Sequence, residues 1–253
     1  MKKVFASENA SFNKQLTCFI ENFEREGELM NEGERNVIKT LIIDDVTINV
    51  KSFKKPNLVN KVVYRFFRKS KAQRSFEYAQ TLKELGIGTP APYAYFEQPS
   101  PLTFGSSYYV SEHLDYDLTF RELTDTFDFP NHENLLRAFT RFSYELHEKG
   151  INFLDHSPGN TLIQLNDGEP QLFLVDLNRM RFETMDFESR MKNLSKLTIH
   201  ESIVRTMSNE YSKCSGLDEK KIFNKLWKET QDFQYRFHRK RKLKRQLKFW
   251  KRA

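Results

Sequence analysis

Apolar residues recur along the chain with two periods, and the switch between them marks the elements. From Ser11 to Glu26, Leu16, Phe19, Ile20 and Phe23 share one face of a 3.6-residue period, which predicts a helix. A polar loop, Gly27 to Arg35, comes next, and then two strand-like runs, Val37 to Ile43 and Val46 to Phe53, joined at Asp44-Asp45. In the second run Val46, Ile48, Val50 and Ser52 alternate with Thr47, Asn49, Lys51 and Phe53, so Lys51 points away from Val50. A helix from about Lys69 to Leu85 stops at Gly86, with Pro90 and Pro92 beyond it. Ser107 to Val110 reads as a short Tyr-rich strand leading into the acidic stretch Glu112 to Asp117. Leu135, Phe139, Phe142 and Leu146 then form the stripe of a helix from about His132 to Lys149, ended by Gly150. Asn166-Asp167-Gly168, set between the apolar runs 161–165 and 171–175, predicts an antiparallel hairpin. From Ser189 the pattern is helical to the end.

Strands first with one helix inserted, then mostly helices, give an α+β fold. It divides into a small sheet lobe (about 1–110), a larger helical lobe (about 115–235) and a tail (236–253). At 253 residues, 38% apolar and 30% charged, the chain can bury a real core and lies outside the disordered range. No apolar run approaches the ~20 residues that span a bilayer. Met1-Lys2-Lys3 leads into polar residues, which does not read as a signal peptide. Cys18 and Cys214 are the only cysteines, so no disulfide framework or cysteine zinc site is expected, and a reducing cytoplasm is the default setting.

The net charge of +7 is local. Ten Lys/Arg and no acid lie between Arg236 and Ala253; without them the balance is 31 basic against 34 acidic residues. A second acid-free stretch, Lys51 to Arg74, carries nine Lys/Arg. Two basic patches on a slightly acidic body suggest an anionic partner. In the tail, Leu243, Leu247 and Trp250 fall on one helical stripe with cations around it. That pattern suits a helix lying in a membrane interface, or one packing its leucines on its own domain.

The candidate chemistry lies between residues 151 and 179. In the expected hairpin Asn160 enters the first strand and Asp176 leaves the second, so their side chains should sit close together at its open end. Asp155, on a loop with Pro158 and Gly159, can bend back over the same spot. Two carboxylates and an amide form a hard-oxygen site of the kind Mg²⁺ accepts. Asp-x4-Asn followed by a hairpin and a second Asp is the layout of protein-kinase-like phosphotransferases. The upstream parts follow in order: Gly27 to Arg35 as the phosphate-covering loop, Lys51 as the strand lysine, Glu77 as its ion-pair partner on the next helix, and Val110 to Leu114, including Glu112 and Leu114, as the hinge for adenine. Phe153 stands where protein kinases place His, Asp176 is followed by Leu177-Asn178, and no full GxGxxG or Ala-Pro-Glu occurs, which argues against a conventional protein kinase.

The set resembles the lipopolysaccharide core kinase family, which phosphorylates Kdo or heptose. The matching stretches are Val-Lys51-Ser-Phe-Lys-Lys-Pro, Lys71-Ala-Gln-Arg-Ser-Phe-Glu77, Gly86-Ile-Gly-Thr-Pro-Ala-Pro92, Phe153-Leu-Asp155-His-Ser-Pro-Gly-Asn160 and Leu174-Val-Asp176-Leu-Asn-Arg179. The resemblance implies a protein-kinase-like fold, ATP and Mg²⁺ as cofactors, and a sugar hydroxyl of Kdo-lipid A or a related anionic glycolipid as acceptor. It also implies a cytoplasmic active site at the inner membrane. In that scheme Asp155 is the catalytic base, Asn160 and Asp176 ligate the metal, and Lys51 with Glu77 holds the phosphates. The tail would dock on the anionic membrane surface, while Lys54, Lys55, Arg65, Arg68 and Lys69, or Arg179 and Arg181, meet the sugar. A protein or small-metabolite acceptor, or a non-catalytic basic scaffold binding nucleic acid or membrane, are the rival readings. No nucleic-acid partner is expected.

Overall fold

Alternation along β-strands and stripes along helices build two compact units, one from residues Met1–Asp115 with Phe173–Arg179, the other from Tyr116–Leu172 with Met180–Ala253. The computed structural model describes residues 1–32, 36–53, 69–99, 104–166 and 168–250.

The first unit runs β1 (Lys2–Phe5), α1 (Ala10–Glu21), β2 (Glu28–Glu32), β3 (Asn36–Ile43), β4 (Val46–Phe53), α2 (Lys71–Glu84), β5 (Pro92–Pro99) and β6 (Phe104–Glu112). The strands form one sheet in the order β1-β5-β6-β4-β3-β2, each described pair antiparallel. Asp44 and Asp45 both take positive φ (49° and 62°), as a two-residue hairpin turn whose twist matches its strands demands. The period-2 pattern of β4 sorts its side chains: Ile48 and Val50 join Leu16, Phe19, Ile20 and Phe23 of α1 in one buried cluster, while Phe53 packs with Ala72, Phe76 and Tyr95 in another. The sheet therefore has a helix on each face, and Lys51 lies on the α2 face.

One expectation changes here. Most of the expected loop Gly27–Arg35 is strand: Glu28–Glu32 pairs with β3, with a bulge between Leu29 and Asn31. Leu29 and Met30 are more than half exposed. An edge strand with nothing to bury shows no alternation, which is why it read as loop. Residues 33–35 lie outside the described residues. Pro92 lies beyond the helix stop, as expected, and opens β5, since the first residue of a strand tolerates the missing N–H.

The second unit comprises β7 (Leu118–Thr119), α3 (Phe120–Asp125), α4 (His132–Glu148), β8 (Ile151–Phe153), a 3₁₀ turn (Pro158–Asn160), β9 (Thr161–Gln164), the start of β10 (Gln171–Leu174), β11 (Met180–Phe182), α5 (Phe187–Leu194), α6 (Glu201–Ser215) and α7 (Glu219–Trp250). β10, β9 and β7 line up in that order, and β8 pairs with β11. The stripe of α4 buries Leu135, Leu136 and Phe139 against Val204, Met207 and Tyr211 of α6, with Ile222 and Leu226 of α7 in the same cluster. Glu210 of α6 accepts from Arg137 and Arg141 of α4, each at 2.9 Å, and pins the two helices together. Gly150, at φ +69°, ends α4 where a Cβ would come within 3.0 Å of the Glu183 carbonyl oxygen; its own carbonyl accepts from the Glu183 N–H at 2.8 Å. Glycine is thus required where the chain leaves α4 and enters β8.

α7 has two halves. Ile222, Leu226 and Thr230 are buried, whereas Tyr235, Phe237 and Leu243 are 68%, 50% and 50% exposed. Leu243 is thus half exposed, and the side chains of Leu247 and Trp250 lie outside the described residues.

Candidate active site

Asp176 is built into the first unit by backbone and side chains together. Ahead of it, the Leu174 N–H donates to the Gly88 carbonyl at 2.8 Å, and the Thr89 hydroxyl donates to the Leu174 carbonyl at 2.9 Å. Behind it, Leu177 and Asn178 are buried, and Arg74 of α2 donates from Nη1 to the Asn178 carbonyl at 2.7 Å. These anchors hold Asp176 itself at φ +57°, a conformation that costs a non-glycine residue energy and is retained where the surroundings enforce it. Its Oδ1 accepts two hydrogen bonds of 2.7 Å, from Lys51 Nζ and from Asn178 Nδ2. Both donors meet one oxygen, so Oδ2 has no partner among the described residues.

Lys51 reaches Asp176 from the α2 face of β4, where Phe53 lies under its ammonium with the ring centre 5.6 Å away. The expected pairing with Glu77 does not form. Glu77 accepts instead from Lys69 Nζ at 2.8 and 3.0 Å and from Gln73 Nε2 at 2.9 Å. The physical reason is local: Lys69 lies just ahead of the helix and Gln73 one turn before Glu77, so both partners come from within eight residues of the carboxylate. That lysine's pKa is raised by its hydrogen bond to Glu77. Glu112 ends β6 with its N–H donating to the Ala91 carbonyl (2.8 Å) and its carboxylate accepting from the Ala91 N–H (3.1 Å). Leu114 follows, half-buried, in the segment that leaves the sheet. Lys54, Lys55, Arg65 and Arg68 lie outside the described residues.

In the second unit, Asp155 and Asn160 occupy the turn after β8. The Asn160 side-chain amide donates to the Asp155 carbonyl at 2.8 Å, leaving its Oδ1 as the acceptor. Antiparallel pairing of Phe153 with Met180 fixes where the turn begins. Beneath it is a buried polar network. Asn193 of α5 donates to the Phe153 carbonyl at 2.9 Å, and its Oδ1 accepts from His156 Nδ1 at 2.8 Å and from His147 Nε2 at 3.3 Å. Lys196 donates to the Leu154 carbonyl at 2.6 Å. Burial lowers the pKa of His156 to about 4 and that of His147 to about 3, so both rings are neutral at pH 7 and serve as fixed struts. The guanidinium of Arg121, at the start of α3, lies beside Gly159.

A lysine and a strained aspartate are held in one unit and an Asp-x4-Asn turn in the other, residue types in the order expected from the sequence. The profile of the lipopolysaccharide kinase (Kdo/WaaP) family matches residues 24–214. The chain belongs to that family. Among solved structures it is similar to "WaaP in complex with acyl carrier protein", with a TM-score of 0.61 over 88% of this chain and 92% of that one. At 18% identity this likeness carries the fold, which is α+β and protein-kinase-like. No curated protein matches. Family membership makes the protein a lipopolysaccharide kinase, hence a phosphotransferase. No helix among the described residues is long and apolar enough to cross a membrane.

Arg74, Asn178, Asn193 and Lys196 hold these segments, and the sequence assigned none of them a role there. Arg74 had one visible signal: it stands three residues before Glu77, one helical turn away, within the acid-free stretch.

Proposed function

We propose that this family member transfers the γ-phosphoryl group of ATP to a sugar hydroxyl, of Kdo or heptose, in the inner core of lipopolysaccharide. The observation that carries the reading is Asp176, kept in a strained conformation with Lys51 at 2.7 Å. Strain enforced by so many anchors is expected where a side chain must meet a ligand.

The residues fit Mg²⁺. Asp176 offers a carboxylate oxygen and Asn160 an amide oxygen, and such a set of one or two protein oxygens completed by phosphates suits that cation. When bound, Mg²⁺ would neutralise charge on the transferring phosphates. Lys51 exchanges Asp176 for the α- and β-phosphates, while the backbone at Glu112 and Leu114 receives adenine. Asp155 orients the acceptor hydroxyl and takes its proton as the new O–P bond forms and the bond to the ADP oxygen breaks. The neutral, buried His156 does not compete for that proton. Positioning and charge neutralisation supply most of the rate.

An acceptor whose acyl chains stay in the bilayer requires work at an anionic surface. The exposed second half of α7 supports docking there: Arg236, Arg239, Lys240, Arg241, Lys242, Lys244 and Arg245 are all exposed, with Phe237 and Leu243 among them. In this reading the enzyme works on the cytoplasmic face of the inner membrane. A chain ending at Gln234 keeps the buried residues of α7 and should lose most of its co-sedimentation with anionic vesicles. Undiminished binding would dismiss the docking role and leave the tail to a protein partner, as WaaP has in its acyl carrier protein complex.

Purified protein with γ-labelled ATP, offered Kdo-lipid A, a heptose-bearing core, a protein and a free sugar, tests the acceptor. Label on a core sugar is expected. Label on the protein or the free sugar alone would overturn the proposal. Mass spectrometry of lipid A-core from cells with and without the gene should show one phosphate missing.

A further inference from the structure

Helix α2 carries two charged residues one turn apart, and they do different work. In protein kinases the helix steadies the site through a carboxylate that grips the strand lysine. Here Glu77 is held by Lys69 and Gln73, and Lys51 bonds Asp176. Arg74, 8% exposed, is an α2 side chain that reaches the segment around Asp176. Its Nη1 donates to the Asn178 carbonyl at 2.7 Å, Asn178 donates from Nδ2 to Asp176 Oδ1 at 2.7 Å, and Lys51 Nζ meets the same oxygen at 2.7 Å.

We propose that Arg74 is a positioning residue that couples helix α2 to the Asp176 carboxylate through Asn178, in place of the lysine–glutamate pair. The inference rests on the reading of Asp176 as a metal ligand. Three features favour it. The contact is charge-assisted and buried, so water does not compete for it. It goes to a backbone carbonyl, so it fixes the main chain beside a residue held at φ +57°. The acceptor also calls for a donor, which a glutamate at this place on the helix could not supply. Lysine would keep the charge without the directed guanidinium N–H.

Hydrogen exchange of the ligand-free protein reads the coupling without turnover. Arg74→Ala and Arg74→Lys should speed exchange of the amides of residues 175–178 by about tenfold or more, as loss of a local anchor does. Glu77→Gln should leave those amides as in the wild type. The Arg74 variants should also raise the half-saturating Mg²⁺ concentration and lower kcat by roughly ten- to a hundredfold, the scale of a small misplacement. Asn178→Ala keeps the contact from Arg74 to the main chain and removes only the amide to Asp176. It should reproduce the Mg²⁺ shift with near-normal melting, and so serves if Arg74→Ala fails to fold. Unchanged exchange and Mg²⁺ dependence in the Arg74 variants, or a Glu77→Gln protein that loosens residues 175–178, would overturn the inference. Full activity in Asp176→Asn would instead bring down the underlying reading; an inactive Asp176→Asn beside a normal Arg74→Lys would bring down only this one.

Discussion

Asp176 and Asp155 are held by opposite kinds of chemistry. Around Asp176 the partners are charged or strongly polar, Lys51, Arg74 and Asn178, and Lys51 and Asp176 are in part exposed. Around the Asp155 turn the chief supports are neutral and deeply buried: Asn193, His156 and His147, with Lys196 on the Leu154 carbonyl. An ion pair open to solvent can be traded for phosphate and a cation at modest expense, because water and ligand compete for the same groups. A buried amide bridging two neutral imidazoles and a carbonyl cannot be traded, since each unpaired group would cost about 1–3 kcal/mol. The first arrangement suits a group that must change partners during each turnover. The second suits a base that must keep its place.

The contrast yields measurements of decreasing effect. Asp155→Asn and Asp176→Asn should each lower kcat by about a thousandfold or more while the protein melts near the wild-type temperature. A near-normal Asp176→Asn would remove one side of the comparison. Next, Asn193→Ala leaves the His156 ring without its partner and removes one of two from the His147 ring and the Phe153 carbonyl, which keep the Tyr211 hydroxyl and the His156 N–H. It should destabilise the fold by about 1–3 kcal/mol and cut kcat roughly ten- to a hundredfold with little change in KM for ATP. A raised KM with normal kcat would show that the network serves binding and not the base.

The third measurement is stability against pH. Folding depresses the pKa of His147 to about 3 and of His156 to about 4, so below the unfolded value near 6.5 the unfolded chain binds more protons. Stability is full above that value and is lost as pH falls toward 4, by about 2 kcal/mol per histidine at pH 5. Denaturant melts of a His147→Gln/His156→Gln variant should show a flatter profile between pH 6.5 and 4.5 than the wild type; equal slopes would deny the neutral network. The smallest effect belongs to Lys69→Ala. Its pair with Glu77 is largely exposed, so less than ~1 kcal/mol should be lost, and a larger loss would mean that the pair supports more than helix α2.

Much of this was legible in the sequence, for particular reasons. β4 announced itself because Ile48 and Val50 are buried on one face while Lys51 and Phe53 use the other. α4 did so because its stripe faces a single core. Asp155 and Asn160 were legible because the residues of the turn are local to one another. β1 and β2 were missed, since they are short edges of the sheet, β1 with only Val4 and Phe5 to pack and β2 with Leu29 and Met30 exposed. The partner of Glu77 was misjudged because helical spacing says which residues share a face, not which of several nearby cations arrives first. The contacts of Arg74 and Asn193 were not legible, for a related reason. Their bonds go to carbonyls 104 and 40 residues away, and main-chain acceptors leave no mark in a string of side chains.

The first unit is not one continuous stretch of gene. Its seven downstream residues, Phe173–Arg179, are received by Arg74, Gly88 and Thr89 like a plug in a socket. A fragment cut after Asp115 would leave that socket empty, and a chimaera exchanging this unit between relatives must carry the distant heptapeptide with it.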